Sequence, residues 1–225
     1  MTVARPKSLS LDILTAVALA AAFVLTAAVY ARLPNPMPTH FDLHGRPNGW
    51  MPRAAGAWFG PIVMGGVVGL LRFGARIVPP GWRDRLDASP VRFVSFALAL
   101  TALGVQSLVL RASLSPMPRL DGAVWVLLGA LFVAMGLALP RIRRNPFFGV
   151  RTAFALSSDE NWARTQRVGG YAMTIGGVVA MTAGFLGAAS VAMGAIAVSA
   201  FGPAICSWVV ARTGPGDIPP SSSDK

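Results

Sequence analysis

Charge is scarce in this 225-residue chain. Asp, Glu, Lys and Arg make up 13% of it and hydrophobic residues 54%, whereas a soluble domain carries roughly 25% charge, so a soluble globular domain is excluded. Cysteine is nearly absent too. Cys206, the single one, falls in the last apolar run, which excludes a disulfide framework or a Cys-rich metal site. No HExxH, GxSxG, P-loop or GxGxxG motif occurs in the context its chemistry needs. No Asp, Glu, Lys, Arg or His stands at the centre of any uncharged run, where ion- and proton-coupled transporters keep the residue that carries coupling. An intramembrane hydrolase would need paired carboxylates or a Ser/His/Cys set on facing helices, and Cys206 alone does not make one. The expectation is a non-enzyme with no cofactor and no bound metal.

What the chain has is long stretches free of charge, at residues 13–31, 54–71, 93–110, 122–140 and 168–210. The first four are each about as long as a helix that crosses the hydrocarbon. The fifth is about twice that and must fold back, near residues 187–190. The expected fold is therefore an all-α integral membrane bundle of six transmembrane helices. The net charge of +11 supplies its orientation. With the N-terminus inside, Arg32, Arg46, Arg53, Arg111 and Arg119 lie outside and the other fifteen of the twenty Lys and Arg lie inside, the bias that the positive-inside rule expects. Both termini are then cytoplasmic. The basic excess reads as topology first and anionic-lipid contact second, not as a surface for direct nucleic-acid binding. The first apolar run is longer than a signal-peptide core, so it reads as a retained anchor.

The expected organisation is a cytoplasmic tail at 1–10, an N-terminal membrane domain at 11–92 with an outer loop at 32–54, a C-terminal membrane domain at 93–212 with an inner loop at 141–167, and a disordered tail at 213–225. Prolines 34, 36, 38, 47 and 52 forbid a long helix in the outer loop. They favour an extended arm, with a turn at Pro47-Asn48-Gly49. His40 and His44 flank Asp42, a pattern that invites zinc, but no fourth ligand is near and a hydrogen-bonding loop is the preferred reading. Gly65 and Gly69 have the spacing of a close helix contact, and Gly176, Gly177, Gly184, Gly187 and Gly194 suit tight packing of the last two helices. Gln106 and Ser107 form a polar pair that should hydrogen-bond a neighbouring helix. The inner loop opens with Arg141, Arg143 and Arg144 and a turn at Asn145-Pro146. Ser157 is its expected helix cap, with Glu160 able to bond back.

Two of these stretches resemble one known combination. The outer loop, Leu33-Pro34…Pro38-Thr39-His40-Phe41…Gly45…Asn48-Gly49-Trp50, resembles a bacterial membrane domain of unknown function. The inner loop, Arg144-Asn145…Gly149-Val150-Arg151-Thr152…Leu156-Ser157…Glu160…Trp162…Thr165…Arg167…Gly169-Gly170, resembles the SdpI family of immunity proteins. The resemblance implies a six-helix protein of the bacterial plasma membrane that protects its cell against a secreted toxic peptide and holds a cytoplasmic transcriptional repressor at the membrane. It assigns His40, Phe41, Gly45, Asn48, Gly49 and Trp50 to a toxin-facing outer loop. Arg144, Asn145, Gly149, Arg151, Thr152, Trp162 and Arg167 become an inner motif for signalling or stability. The chain departs from the family pattern at Ala153-Phe154, where Pro-Trp is frequent, and at Gln166, where His is frequent. The alternative function is a transporter or passive conduit for a lipid or peptide.

Overall fold

The computed structural model describes residues 7–77, 88–145 and 147–213. Helix α1 spans Lys7–Val29 and tightens into a 3-10 turn at Tyr30–Arg32. The prolines that follow cannot continue a helix, and the chain pairs instead as a hairpin, β1 (Met37–Phe41) against β2 (Pro47–Met51). After it come α2 (Arg53–Ile77), α3 (Ala88–Leu114), α4 (Ala123–Ala138) with a 3-10 turn at Leu139–Arg141, the short α5 (Ala153–Ser157), α6 (Asp159–Phe185) and α7 (Ala189–Thr213). The fold is a helical bundle with one small antiparallel sheet.

Among the described residues five helices are long and apolar enough to cross a membrane: Ser10–Arg32, Arg53–Gly74, Ser89–Leu114, Ala123–Arg141 and Asp159–Phe185. Helix α7 is apolar over the shorter stretch Ala189–Ile205. The fold-back between α6 and α7 sits where the chain length demands it, at Gly187, whose φ of +75° suits glycine. Helix α1 begins at Lys7, inside the segment expected as a tail. Residues 78–87, Pro146, most of the N-terminal tail, residues 214–225 and the Cys206 side chain lie outside the described residues.

Helices α1 and α2 pack on α3, while α4 and α7 pack on α6; α3 and α4 join the two groups. Glycines build the most extensive of these contacts, α4 against α6. A Cβ on Gly129 would stand 2.5 Å from the Gly177 carbonyl oxygen, and one on Gly184 would meet Trp125 at 2.7 Å. The tight partner of Gly177 and Gly184 is thus α4 and not, as expected, α7; Gly176 does face Ser199 of α7, and a Cβ on Gly194 would meet no described residue within 4 Å. The expected contact through Gly65 and Gly69 is likewise corrected. A Cβ on either would meet no described residue within 4 Å, because α2 turns its other side, with Ala57, Pro61 and Val68 buried, toward its neighbours.

Gln106 meets its expectation and Ser107 does not. Ser107 bonds back to Leu103 in its own helix. Gln106 donates from Nε2 to Thr26 Oγ1 of α1 (2.9 Å) and to the Ala57 carbonyl of α2 (3.0 Å). Four residues on from Ala57 is Pro61, which has no N–H to give that carbonyl. The Gln106 amide supplies the missing donor, so the buried helix break is satisfied from another helix. At the end of the bundle away from the hairpin, Asp12 of α1 is ion-paired with Arg72 of α2 and approached by Arg92 of α3 at 3.6 Å.

Candidate functional site at the two ends of the bundle

At one end stands the hairpin. Its turn is made by Asp42–Arg46 and not by Pro47-Asn48-Gly49, which lies in β2. The reason is local: Asp42 Oδ1 accepts from the main-chain N–H of His44 and of Arg46, both at 2.8 Å, and Gly45 takes φ +73°. The side-chain and main-chain bonds close the turn from within. The Asp42 carboxyl is lowered from its ordinary 3.8 chiefly by the Arg46 main-chain bond; burial opposes this, and the His44 N–H bond and the charges of His44 and Arg46 assist. The Asp42 carboxylate is therefore committed to the turn. Among the described residues no group of three or more His, Cys, Asp or Glu is placed to hold a metal ion.

The turn docks on the α3–α4 connection. The Leu120 N–H donates to the Gly45 carbonyl at 2.9 Å, and Arg119 Nε donates to the His44 carbonyl at 3.3 Å. Contact is so close that a Cβ on Gly45 would stand 1.8 Å from the Leu120 oxygen. The base of the hairpin is fixed by Met37, fully buried among Leu33, Ala57 and Leu110, and by Arg53, whose N–H donates to Asn35 Oδ1 and whose guanidinium lies 5.1 Å from the Tyr30 ring. Tyr30 in turn stacks on Trp58.

Of the outer-loop residues singled out, Gly45 is buried in this contact, Phe41 and Gly49 are half-buried, and His40, Asn48 and Trp50 are exposed. Gly49 pairs with His40 across the strands, where an added Cβ would come within 3.0 Å of the His40 Cβ. Trp50, 56% exposed, sits opposite Pro38. Beneath the turn is a cavity of about 740 Å³. Residues 39–45 form one wall, Val105, Val109, Val124 and Trp125 of α3 and α4 an apolar floor, and residues 187–190 of the α6–α7 turn the far wall. Sequence reasoning missed Arg119, Leu120 and Asp121 here. The decisive Leu120 bond is a main-chain one that leaves no side-chain signature.

At the opposite end is the arginine-rich loop. Asn145 is fully buried and builds the turn: Oδ1 accepts from the N–H groups of Phe147 (2.8 Å) and Phe148 (2.7 Å), and Nδ2 donates to the Arg143 carbonyl (2.8 Å). Trp162, 2% exposed, donates from Nε1 to the Ile142 carbonyl at 2.7 Å. Gln166 is fully buried and clamps Val150, accepting from its N–H at 2.9 Å and donating to its carbonyl at 3.0 Å. Gly149 allows this approach; its φ is +105°, and a Cβ there would meet Gln166 Oε1 at 2.7 Å. Thr152 caps α5 through the Ala155 N–H and is hydrogen-bonded to Ser207 of α7. The cap of α6 is Ser158 and not Ser157: the Asn161 N–H bonds Ser158 Oγ, and Ser157 closes α5 instead. Asp159 and Glu160 occupy the first turn of α6, where the helix dipole favours them.

Of the inner-motif residues, Asn145, Gly149, Thr152 and Trp162 thus converge on one folded unit, joined by Gln166. Arg144 belongs to it, donating to the Leu156 carbonyl at 2.9 Å and bringing Nε within 2.6 Å of Asp159 Oδ1 at an angle too poor for a hydrogen bond. Arg151 and Arg167 are exposed. Residues 17–65, which hold the hairpin, match the domain of unknown function DUF1648, and residues 141–210 match the SdpI/YfhL protein family. No curated protein and no solved structure matches the chain. The chain carries an SdpI/YfhL family segment behind a DUF1648 segment, at the two loops on which the resemblance rests.

Proposed function

We propose that this is a multi-pass protein of a bacterial plasma membrane that protects the cell making it from a secreted toxic peptide. The peptide is met at the hairpin end, and the arginine-rich end lies in the cytoplasm and holds a transcriptional repressor there. In this reading α7 is a sixth span. Its 25 residues rise about 37 Å, more than the roughly 30 Å of hydrocarbon, and Ser207 near its end meets Thr152 of the arginine-rich loop. Both termini are then cytoplasmic, as the charge bias favours.

The observation that carries the proposal is the hairpin-end cavity, because both family segments wall it: residues 39–45 from one and 187–190 from the other. Its apolar floor and its polar rim of His40, His44 and Arg119 suit an amphipathic chain held at a membrane surface. No catalysis is assigned to it. The test is survival of a peptide-sensitive bacterial host, with and without this protein, across a panel of secreted membrane-active peptides. Resistance to at least one peptide is expected. A passive conduit would rest on the same cavity, and solute flux through reconstituted vesicles without any protection of cells would establish that alternative instead.

A further inference from the structure

We propose that the cleft between the end of α4 and the start of α6 binds the phosphate of an anionic ligand, a lipid headgroup or free phosphate. The cleft, about 410 Å³, is lined by Arg141, Arg143, Arg144, Asp159 and Trp162 among others. Among the described residues three guanidiniums face one carboxylate there, so this set is short of negative charge. Among the described residues Arg144 is the one that is matched, by Asp159, and even so its buried Nε has no hydrogen bond. Arg143 is exposed and has no ion pair among the described residues. Arg141 is held in place by a hydrogen bond to the Leu137 carbonyl at the end of α4, and its other N–H groups have no partner among the described residues. Guanidiniums are the side chains whose planar donors fit phosphate oxygens.

Position supplies the second argument. The apolar span Ala123–Arg141 ends in the cleft, so its arginines lie at headgroup depth. One turn back along α4, Leu137 is 48% exposed and offers an acyl chain an apolar path. Basic pockets between membrane helices take acidic headgroups on this physics. The inference does not depend on the immunity reading, since it uses only the folded loop and the end of one span.

The test is native mass spectrometry of the full chain released from detergent, with phosphatidylglycerol, phosphatidylcholine or inorganic phosphate added. Wild type is compared with Arg143→Gln, Arg143→Lys and, as a charge control at the hairpin end, Arg32→Gln. Each variant is first shown to elute as the folded wild type does. Phosphatidylglycerol should be retained over phosphatidylcholine, Arg143→Gln should weaken retention about fivefold, Arg143→Lys should recover part of it, and Arg32→Gln should change nothing. Retention of inorganic phosphate with the same Arg143 dependence would name free phosphate as the source. Equal weakening by Arg143→Gln and Arg32→Gln, or no preference for either anion, would overturn the proposal.

Discussion

Gln166 and Val150 exchange two hydrogen bonds, N–H to Oε1 at 2.9 Å and Nε2 to carbonyl at 3.0 Å. A carboxamide carries donor and acceptor side by side, so it pairs with a peptide unit as a strand neighbour would. The position where the resembled family often has His is therefore occupied by a group that holds the loop at any pH. Gln166→Ala should leave both main-chain groups of Val150 unpaired and cost about 1–3 kcal/mol, read as a lower unfolding temperature in detergent. Gln166→His should lower it too and make it pH-dependent. Only the neutral ring can accept from the Val150 N–H, so stability should fall as pH drops through about 6.5. A Gln166→Ala variant as stable as wild type would refute the clamp.

Gly149 should tolerate no side chain. With φ at +105° and Gln166 Oε1 2.7 Å from a would-be Cβ, Gly149→Ala should destabilise the loop by about 1–3 kcal/mol. Protease nicking at the arginine-rich end is the sensitive readout. An unchanged cleavage rate would show that the loop relaxes freely.

The pairing of Gln106 with the Ala57 carbonyl makes a coupled prediction. Gln106→Leu alone should cost about 1–2 kcal/mol, since it strands the carbonyl that Pro61 leaves open. In the Pro61→Ala background the helix supplies its own N–H, so the added cost of Gln106→Leu should shrink to that of the lost Thr26 bond. A double-mutant cycle on thermal stability in detergent measures this. Strict additivity would mean that the amide does not serve the proline break.

Protonating Asp42 should loosen the hairpin turn. Its folded pKa lies below the ordinary value, so its contribution is present above that ordinary value and is lost as pH falls through the folded one. Hydrogen exchange of the His44 and Arg46 amides should accelerate relative to other hairpin amides in that acid window, and Asp42→Asn should weaken the dependence. Exchange that ignores both changes would contradict the turn as described.

The helices were legible because uncharged length is a global property that few local details disturb. Loop chemistry was legible in type and misplaced in position. Pro-Asn-Gly carries a strong turn signal, yet Asp42 and Gly45 won the turn, since strand pairing through Met37 and Met51 fixes a register that leaves Pro47 inside β2. Ser157 and Ser158 are equivalent as caps by composition, and only α5, a five-residue helix ending at Ser157, decides between them. Gly65 and Gly69 show the opposite failure, a contact spacing where an added Cβ would meet no described residue. Gln166 was visible as a departure, but its two partners belong to one residue sixteen positions back, which pattern alone does not pair.

Protection by the hairpin end is read from the survival of a peptide-sensitive host expressing wild type, Trp50→Ala or Arg167→Ala at equal membrane levels. Trp50 is exposed on the hairpin and Arg167 at the other end of the bundle. Wild type and Arg167→Ala should protect, and Trp50→Ala should not. Protection undiminished in Trp50→Ala, or none by wild type against any peptide, would contradict it.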